Sequence, residues 1–125
     1  MTLDKDLIRE ILLALEADES DPRAPILLNV PGHAPEEIAY HVHLLAEAGF
    51  IKAIDFGSSD GYDWQPQRLT YNGHEFLDTV RDPEVWRETK EAAKKIGASS
   101  VQLLWELGKG LVKLKAQQHL GISLG

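Results

Sequence analysis

Apolar residues return every three or four positions at the start of the chain: Leu3, Leu7, Ile8, Ile11, Leu12 and Leu15. That spacing puts them on one side of a 3.6-residue repeat and predicts an amphipathic helix over residues 3–17. Asp4 and Asp6 sit in its first turn, where negative charge suits the helix dipole. The pattern then breaks. Residues 17–25 are polar and include Pro22 and Pro25. Proline inside a helix costs ~3 kcal/mol, so this stretch is expected to be a loop. Ile26-Leu27-Leu28-Asn29-Val30 is a short apolar run, expected as a strand and closed by Pro31-Gly32.

Pro35 opens a second helix, residues 35–48, with Glu36 and Glu37 in its first turn. Ile38, Val42 and Leu45 form its buried stripe, and Gly49 ends it. Residues 50–56 and 62–69 read as two strands around a turn at 57–61. Pro66 cannot donate to a ladder, which predicts an edge position or a bulge. Thr70 is placed to cap a third helix, 71–81, with Phe76, Leu77 and Val80 facing inward. Asp82-Pro83 starts a fourth helix that carries Val85, Trp86, Thr89, Ala93 and Ile96 and stops at Gly97. A capping box with Ser99 as the cap and Gln102 reaching back then predicts a last helix to about Leu120.

The sum is an α+β chain: a winged-helix-like domain over residues 1–81, in the order helix–strand–helix–β-hairpin wing–helix. Two additional C-terminal helices, residues 82–125, form an extension expected to dimerise. Two motifs carry the resemblance. Leu44-Leu45-Ala46-Glu47-Ala48-Gly49-Phe50-Ile51 resembles the passage from a recognition helix into the wing. Arg68-Leu69-Thr70-Tyr71-Asn72-Gly73-His74-Glu75-Phe76-Leu77 resembles the segment that follows the wing in many bacterial regulators. Together with Arg81, Asp82 and Trp86, these segments are similar to the bacterial and phage family known as domain of unknown function 2513. The resemblance runs from Asp6 to about Leu107. It implies a winged-helix core with C-terminal helices, and it implies no reaction.

Charge alters the functional reading of that fold. The chain is formally −7, but residues 1–81 hold 6 bases and 15 acids, while residues 82–125 hold 7 bases and 5 acids. The recognition-like helix has three glutamates and no Lys or Arg, and the wing tip is acidic. Duplex DNA draws on Lys and Arg at phosphates for much of its affinity, so this face is a poor match for it. The interval 19–34, with three prolines, also leaves no room for the short support helix usual in such regulators. A protein partner is therefore expected, met by Glu36, Tyr40, His43 and Glu47 of the helix and Asp60, Tyr62 and Trp64 of the wing. The alternative is a DNA-binding regulator of phage or mobile-element origin. In that reading Lys94, Lys95, Lys109 and Lys113 would meet phosphates.

The last helix has an apolar arc about 200° wide, where a surface helix needs only ~100° or a little more. Leu103, Leu107, Leu111 and Leu114 lie on the excess and are expected to pair with a second copy. Gly108 and Gly110 fit a close approach there. The remaining chemistry reads as absent. There is no cysteine, hence no thiol catalyst or Cys-based zinc site. His41 and His43 point to different sides of one helix, and no H-E-x-x-H, G-x-S-x-G or phosphate-loop motif occurs. No metal, no cofactor and no enzymatic activity are expected. No apolar run of membrane-spanning length occurs. The acidic N-terminus is unlike a signal peptide, so a cytoplasmic protein is expected.

Overall fold

The computed structural model describes residues 1–121 of the 125. The last four residues of the 82–125 extension therefore lie outside the described residues. The chain is α+β, with α1 (Lys5–Ala17), α2 (Pro35–Glu47), β1 (Ile51–Asp55), β2 (Trp64–Leu69), α3 (Tyr71–Val80), α4 (Pro83–Ile96) and α5 (Val101–Leu120). It divides into two compact units, Met1–Leu77 and Asp78–Gly125.

In the first unit, α1 begins where its cap dictates. Asp4 is extended, and its Oδ1 accepts the Leu7 N–H at 3.1 Å, satisfying a helix N–H that has no partner within the helix. Leu7, Ile8, Ile11 and Leu12 are fully buried. They share the core with Ile38, Val42 and Leu45 of α2, with Phe50, Ile51 and Leu69 of the hairpin, and with Phe76 and Leu77 of α3. Each such side chain contributes roughly 1.5–3 kcal/mol when taken from water. The α2 helix starts on Pro35 without a side-chain cap, and Gly49 closes it with φ +85°, a region that side chains with a Cβ avoid.

β1 and β2 pair antiparallel, from Ile51 opposite Leu69 to Asp55 opposite Trp64. The register slips between Lys52, opposite Arg68, and Ala53, opposite Pro66. Gln67 is the extra residue, so the expected bulge falls beside Pro66, where a ladder donor is missing. The Gln67 side chain donates to the Arg23 carbonyl at 2.7 Å, and the Ile26 N–H donates to the Pro66 carbonyl at 2.8 Å. That second bond is what remains of the strand expected at 26–30. No ladder forms there, and Leu27 is 87% exposed while Val30 is buried. All five residues of the run keep a backbone N–H, but the run is bounded by Pro25 and Pro31 and its bond to Pro66 is not continued as a ladder. No helix lies between α1 and α2, as the prolines of that interval predict.

The second unit is dominated by the pair α4 and α5. Asp82 caps α4 through the N–H groups of Glu84 and Val85, and Gly97 ends it at φ +70°. The cap of α5 is Ser100, not Ser99. Ser100 Oγ accepts the Leu103 N–H at 3.1 Å, and Gln102 turns away from the cap to donate to Glu106. Two adjacent serines make the box ambiguous by one residue, and the geometry selects the second. Gly108 is buried, and a Cβ built on it would lie 2.9 Å from Thr79 Cγ2 and 3.2 Å from Val80 Cγ1. Its close approach is thus within the chain, correcting the expectation that it serves a dimer. Gly110 meets nothing within 4 Å.

Candidate functional site

Two neighbouring turns of α2 and the C-terminal arm of the hairpin converge on His43. Its ring stacks on the Trp64 indole with centroids 4.1 Å apart and planes 5° from parallel. Its Nε2 lies 2.6 Å from the Glu47 carboxylate one helical turn on. The other nitrogen, Nδ1, is hydrogen-bonded to the Tyr62 hydroxyl. Tyr40, one turn back, faces the Tyr62 ring at 6.4 Å. Of the seven residues expected to meet a partner, these five form one cluster: Tyr40, His43, Glu47, Tyr62 and Trp64. Glu36 is exposed in the first turn of α2. Asp60 is held in the hairpin turn, where its N–H donates to Ser58 Oγ. Neither of these two takes part in the cluster contacts.

The cluster is a surface feature. Tyr62 is 40% exposed, Glu47 is exposed, and Tyr40, His43 and Trp64 are half-buried. A carboxylate accepts only, so His43 Nε2–H donates to Glu47. The chain Tyr62–His43–Glu47 has the connectivity of a nucleophile, a base and an orienting acid. Its electrostatics oppose that role. Burial, and then the charges of Asp55 and Glu47, push the Tyr62 phenol above its ordinary range. A tyrosine held protonated is a hydrogen-bond donor and not an activated nucleophile. Beside the cluster, Ile26, Leu28, Pro35, Ile38 and Pro66 line a small recess that reaches Trp64.

Acidic groups surround these rings. Glu36, Glu37 and Glu47 lie on α2, and Asp55, Asp60 and Asp63 lie at the far end of the hairpin. The hairpin's two bases, Lys52 and Arg68, face each other across the strands at its opposite end.

The second unit carries the bases. Lys94 and Lys95 are exposed in the last turn of α4, and Lys113 is exposed on α5. Lys109 pairs with Glu106 at 2.9 Å and covers the Trp105 ring at 4.0 Å. Arg87 bonds Glu84 and Glu91, and Lys115 reaches Glu88. The guanidinium of Arg87 is held above its ordinary range by the Glu84 hydrogen bond first. On α5, Leu103 and Leu114 are 45% and 49% exposed, and Leu107 and Leu111 are half-buried.

A family model described as a hypothetical protein, DUF2513, matches residues 2–100. The chain belongs to this family. The match spans the whole first unit with its two motifs, then α4, and it ends just before α5. The α2–hairpin cluster of this chain lies inside the matched residues, whereas the Leu103–Leu114 face falls beyond them. A relative from Haemophilus influenzae, described as an uncharacterized protein, is 41% identical over 90 residues, covering 71% of this chain and 75% of its own. No solved structure matches.

Two details of this DUF2513 chain escape the periodicity of its sequence. His41 is fully buried, with its Nε2 accepting the Asp4 N–H at 2.8 Å and its Nδ1–H donating to the Glu37 carbonyl at 2.8 Å. The backbone N–H can only donate, so this imidazole is neutral with its proton on Nδ1. Near it, His33 Nδ1 lies 2.6 Å from Glu37 Oε1, and Asp4, His33 and Glu37 bring one ligand atom each within 4.8 Å of the others. The only signal for this trio is the four-residue step from His33 to Glu37. Asp4 is 29 residues upstream of His33, and folding alone brings it there.

Proposed function

We propose that this protein is a non-enzymatic winged-helix interaction module, whose α2–hairpin face docks on a basic, partly apolar surface of a protein partner. The observation that carries the reading is the exposed Tyr40–His43–Tyr62–Trp64 cluster set among carboxylates. Aromatic side chains with a polar tip are the residues that anchor protein interfaces. Flanking carboxylates favour a partner with Lys or Arg, and an arginine plane can also stack on the exposed rings. The same carboxylates oppose phosphates. In this reading Leu103, Leu107, Leu111 and Leu114 of α5 pair with a second copy of the chain.

The test compares proteins captured from a bacterial lysate. Wild type, a Glu36→Lys/Glu47→Lys double variant, Trp64→Ala and a Lys94→Glu/Lys95→Glu control serve as baits. A partner lost with the first two variants and kept by the control supports the docking face. A partner captured equally by all four removes α2 and the hairpin from the reading.

The alternative, a DNA-binding regulator, draws on Lys94, Lys95 and Lys113, which are exposed on α4 and α5. Anisotropy titration of duplex DNA at two salt concentrations separates the two readings. Salt-sensitive binding abolished by Lys94→Glu/Lys95→Glu would favour the regulator.

A further inference from the structure

We propose that Asp4, His33 and Glu37 form a binding site for one divalent transition-metal ion of the zinc type. This site is separate from the His43 cluster and does not depend on the docking reading. Three different pieces of chain supply the donors: the residue that caps α1, the loop before α2, and the first turn of α2. Their ligand atoms lie within 4.8 Å of one another, and all three residues are half-buried. Zinc holds N and O donors at ~2.0–2.2 Å, which sets neighbouring donors about 3–3.5 Å apart. The 2.6 Å contact of His33 Nδ1 with Glu37 Oε1 is a hydrogen bond, and a bound ion would replace the proton between these two groups.

The donor chemistry selects the class of ion. One imidazole and two carboxylates suit zinc and its first-row neighbours, whereas magnesium and calcium prefer oxygen throughout. Two carboxylates and a neutral imidazole also offset the charge of a dication. Asp4 loses nothing in serving both roles, since Oδ1 caps α1 and a carboxylate has a second oxygen.

The buried His41 gives the site its rigidity. Its ring joins the Asp4 N–H to the Glu37 carbonyl, so the backbones of two of the three ligands are tied through one fixed ring. Donors held in this way need little reordering to receive an ion. Three protein ligands leave one position of a tetrahedral ion for water or for a group from a partner.

The experiment is an isothermal titration of ZnCl2 into the full chain after EDTA treatment, with MgCl2 as a second titrant. One Zn2+ per chain is expected, with no heat from Mg2+. His33→Ala should weaken binding by more than the ~10–100-fold that loss of a supporting residue costs. Glu37→Gln, which keeps a hydrogen-bonding oxygen beside His33, should weaken it as well. His43→Ala should leave it unchanged, because among the described residues the His43–Glu47 pair belongs to no group of three possible ligands. Circular dichroism confirms that each variant is folded, and Zn2+ should raise the urea midpoint of wild type but not of His33→Ala. No uptake of Zn2+ by wild type, or equal uptake by wild type and His33→Ala, overturns the proposal. Loss of binding in His43→Ala in place of His33→Ala does so too.

Discussion

Gly73 lies directly on the carbonyl of Phe50: a Cβ built at Gly73 would stand 1.9 Å from Phe50 O and 3.0 Å from Phe50 C. The same carbonyl accepts the Thr70 N–H at 3.0 Å. Thr70 Oγ1 in turn donates to the Gly49 carbonyl at 2.6 Å and accepts the Gly73 N–H at 3.1 Å. The segment leaving α2 and the segment entering α3 are thus locked together by one threonine and one glycine. Gly73→Ala sets a methyl group against backbone, which cannot move without pulling β1. Overpacking of this kind typically costs 1–3 kcal/mol, and a clash with main chain belongs at or above the top of that range. A urea unfolding curve should show a large fall in midpoint with little change in slope. A midpoint equal to that of wild type would mean that α3 does not sit this close to Phe50.

That contact explains why the two motifs were legible in the sequence. Gly49 is needed for its positive φ, Thr70 for its hydroxyl, and Gly73 for the space a side chain would fill. Each is a local requirement with a specific residue type, so it survives as a short pattern. The helices were legible for a similar reason. Asp4, Pro35, Thr70, Asp82 and the glycines at 49 and 97 are punctuation that acts within a few residues. Pairings across long sequence distances leave no such mark. The Asp4–His41 bond, the descent of Asp4 onto His33, and the stacking of His43 on Trp64 are set by how α1, α2 and the hairpin meet. Helical spacing placed Tyr40, His43 and Glu47 on one face of α2, and strand alternation gave Tyr62 and Trp64 a common side. Only the packed structure shows that these two faces touch. Residues 26–30 misled for the converse reason, because their composition is that of a strand while the bond of the Ile26 N–H to the Pro66 carbonyl is not continued into a ladder.

His41 is expected to be a stability residue whatever the partner or metal. His41→Leu matches its bulk but leaves the Asp4 N–H without its acceptor in a partly buried place. An unsatisfied buried donor costs ~1–3 kcal/mol. Because Asp4 caps α1, the loss should appear as fraying at that helix. Amide hydrogen exchange should rise in the first turn of α1 more than in α4. Equal protection in both variants would remove the bond from the stability of the fold.

The phenol of Tyr62 supplies a pH prediction. Its affinity for the proton is raised in the folded state by burial and by the nearby carboxylates. A group raised on folding binds more protons in the native than in the unfolded chain as pH climbs through its range. Its stabilising contribution is therefore present below the unfolded tyrosine range, ~10, and is lost as pH rises through the folded value. Tyr71 is also raised, chiefly by its hydrogen bond to Glu75. Ultraviolet titration of the phenolate band should show Tyr62 and Tyr71 ionising above the ordinary tyrosine range. Tyr62→Phe should delete a late step and flatten the alkaline fall in stability, while loss of an early step, or an alkaline fall as steep as that of wild type, would place Tyr62 outside the carboxylate field.

The apolar face of α5 gives the last prediction. Leu104 and Val101 are buried, and Gly108 packs on Thr79 and Val80, so they are unsuited to a test of self-association. Leu103 and Leu114 keep about half their surface in water, and Leu107 lies one and two turns from them. A Leu107→Glu/Leu114→Glu double variant changes that face while sparing the buried side. If α5 pairs with a second copy, wild type should sediment as a dimer at micromolar concentration and the variant as a monomer of unchanged helix content. Burying a leucine side chain is worth roughly 1.5–3 kcal/mol. Four such side chains on each of two chains easily exceed the effect of the exposed ion pairs of α4, which are worth little in water. The dimer should accordingly survive raised salt. Dissociation at 0.5 M NaCl would point instead to contacts made by Arg87, Lys94 and Lys95, and a wild-type monomer at every concentration would leave the α5 leucines to the single chain.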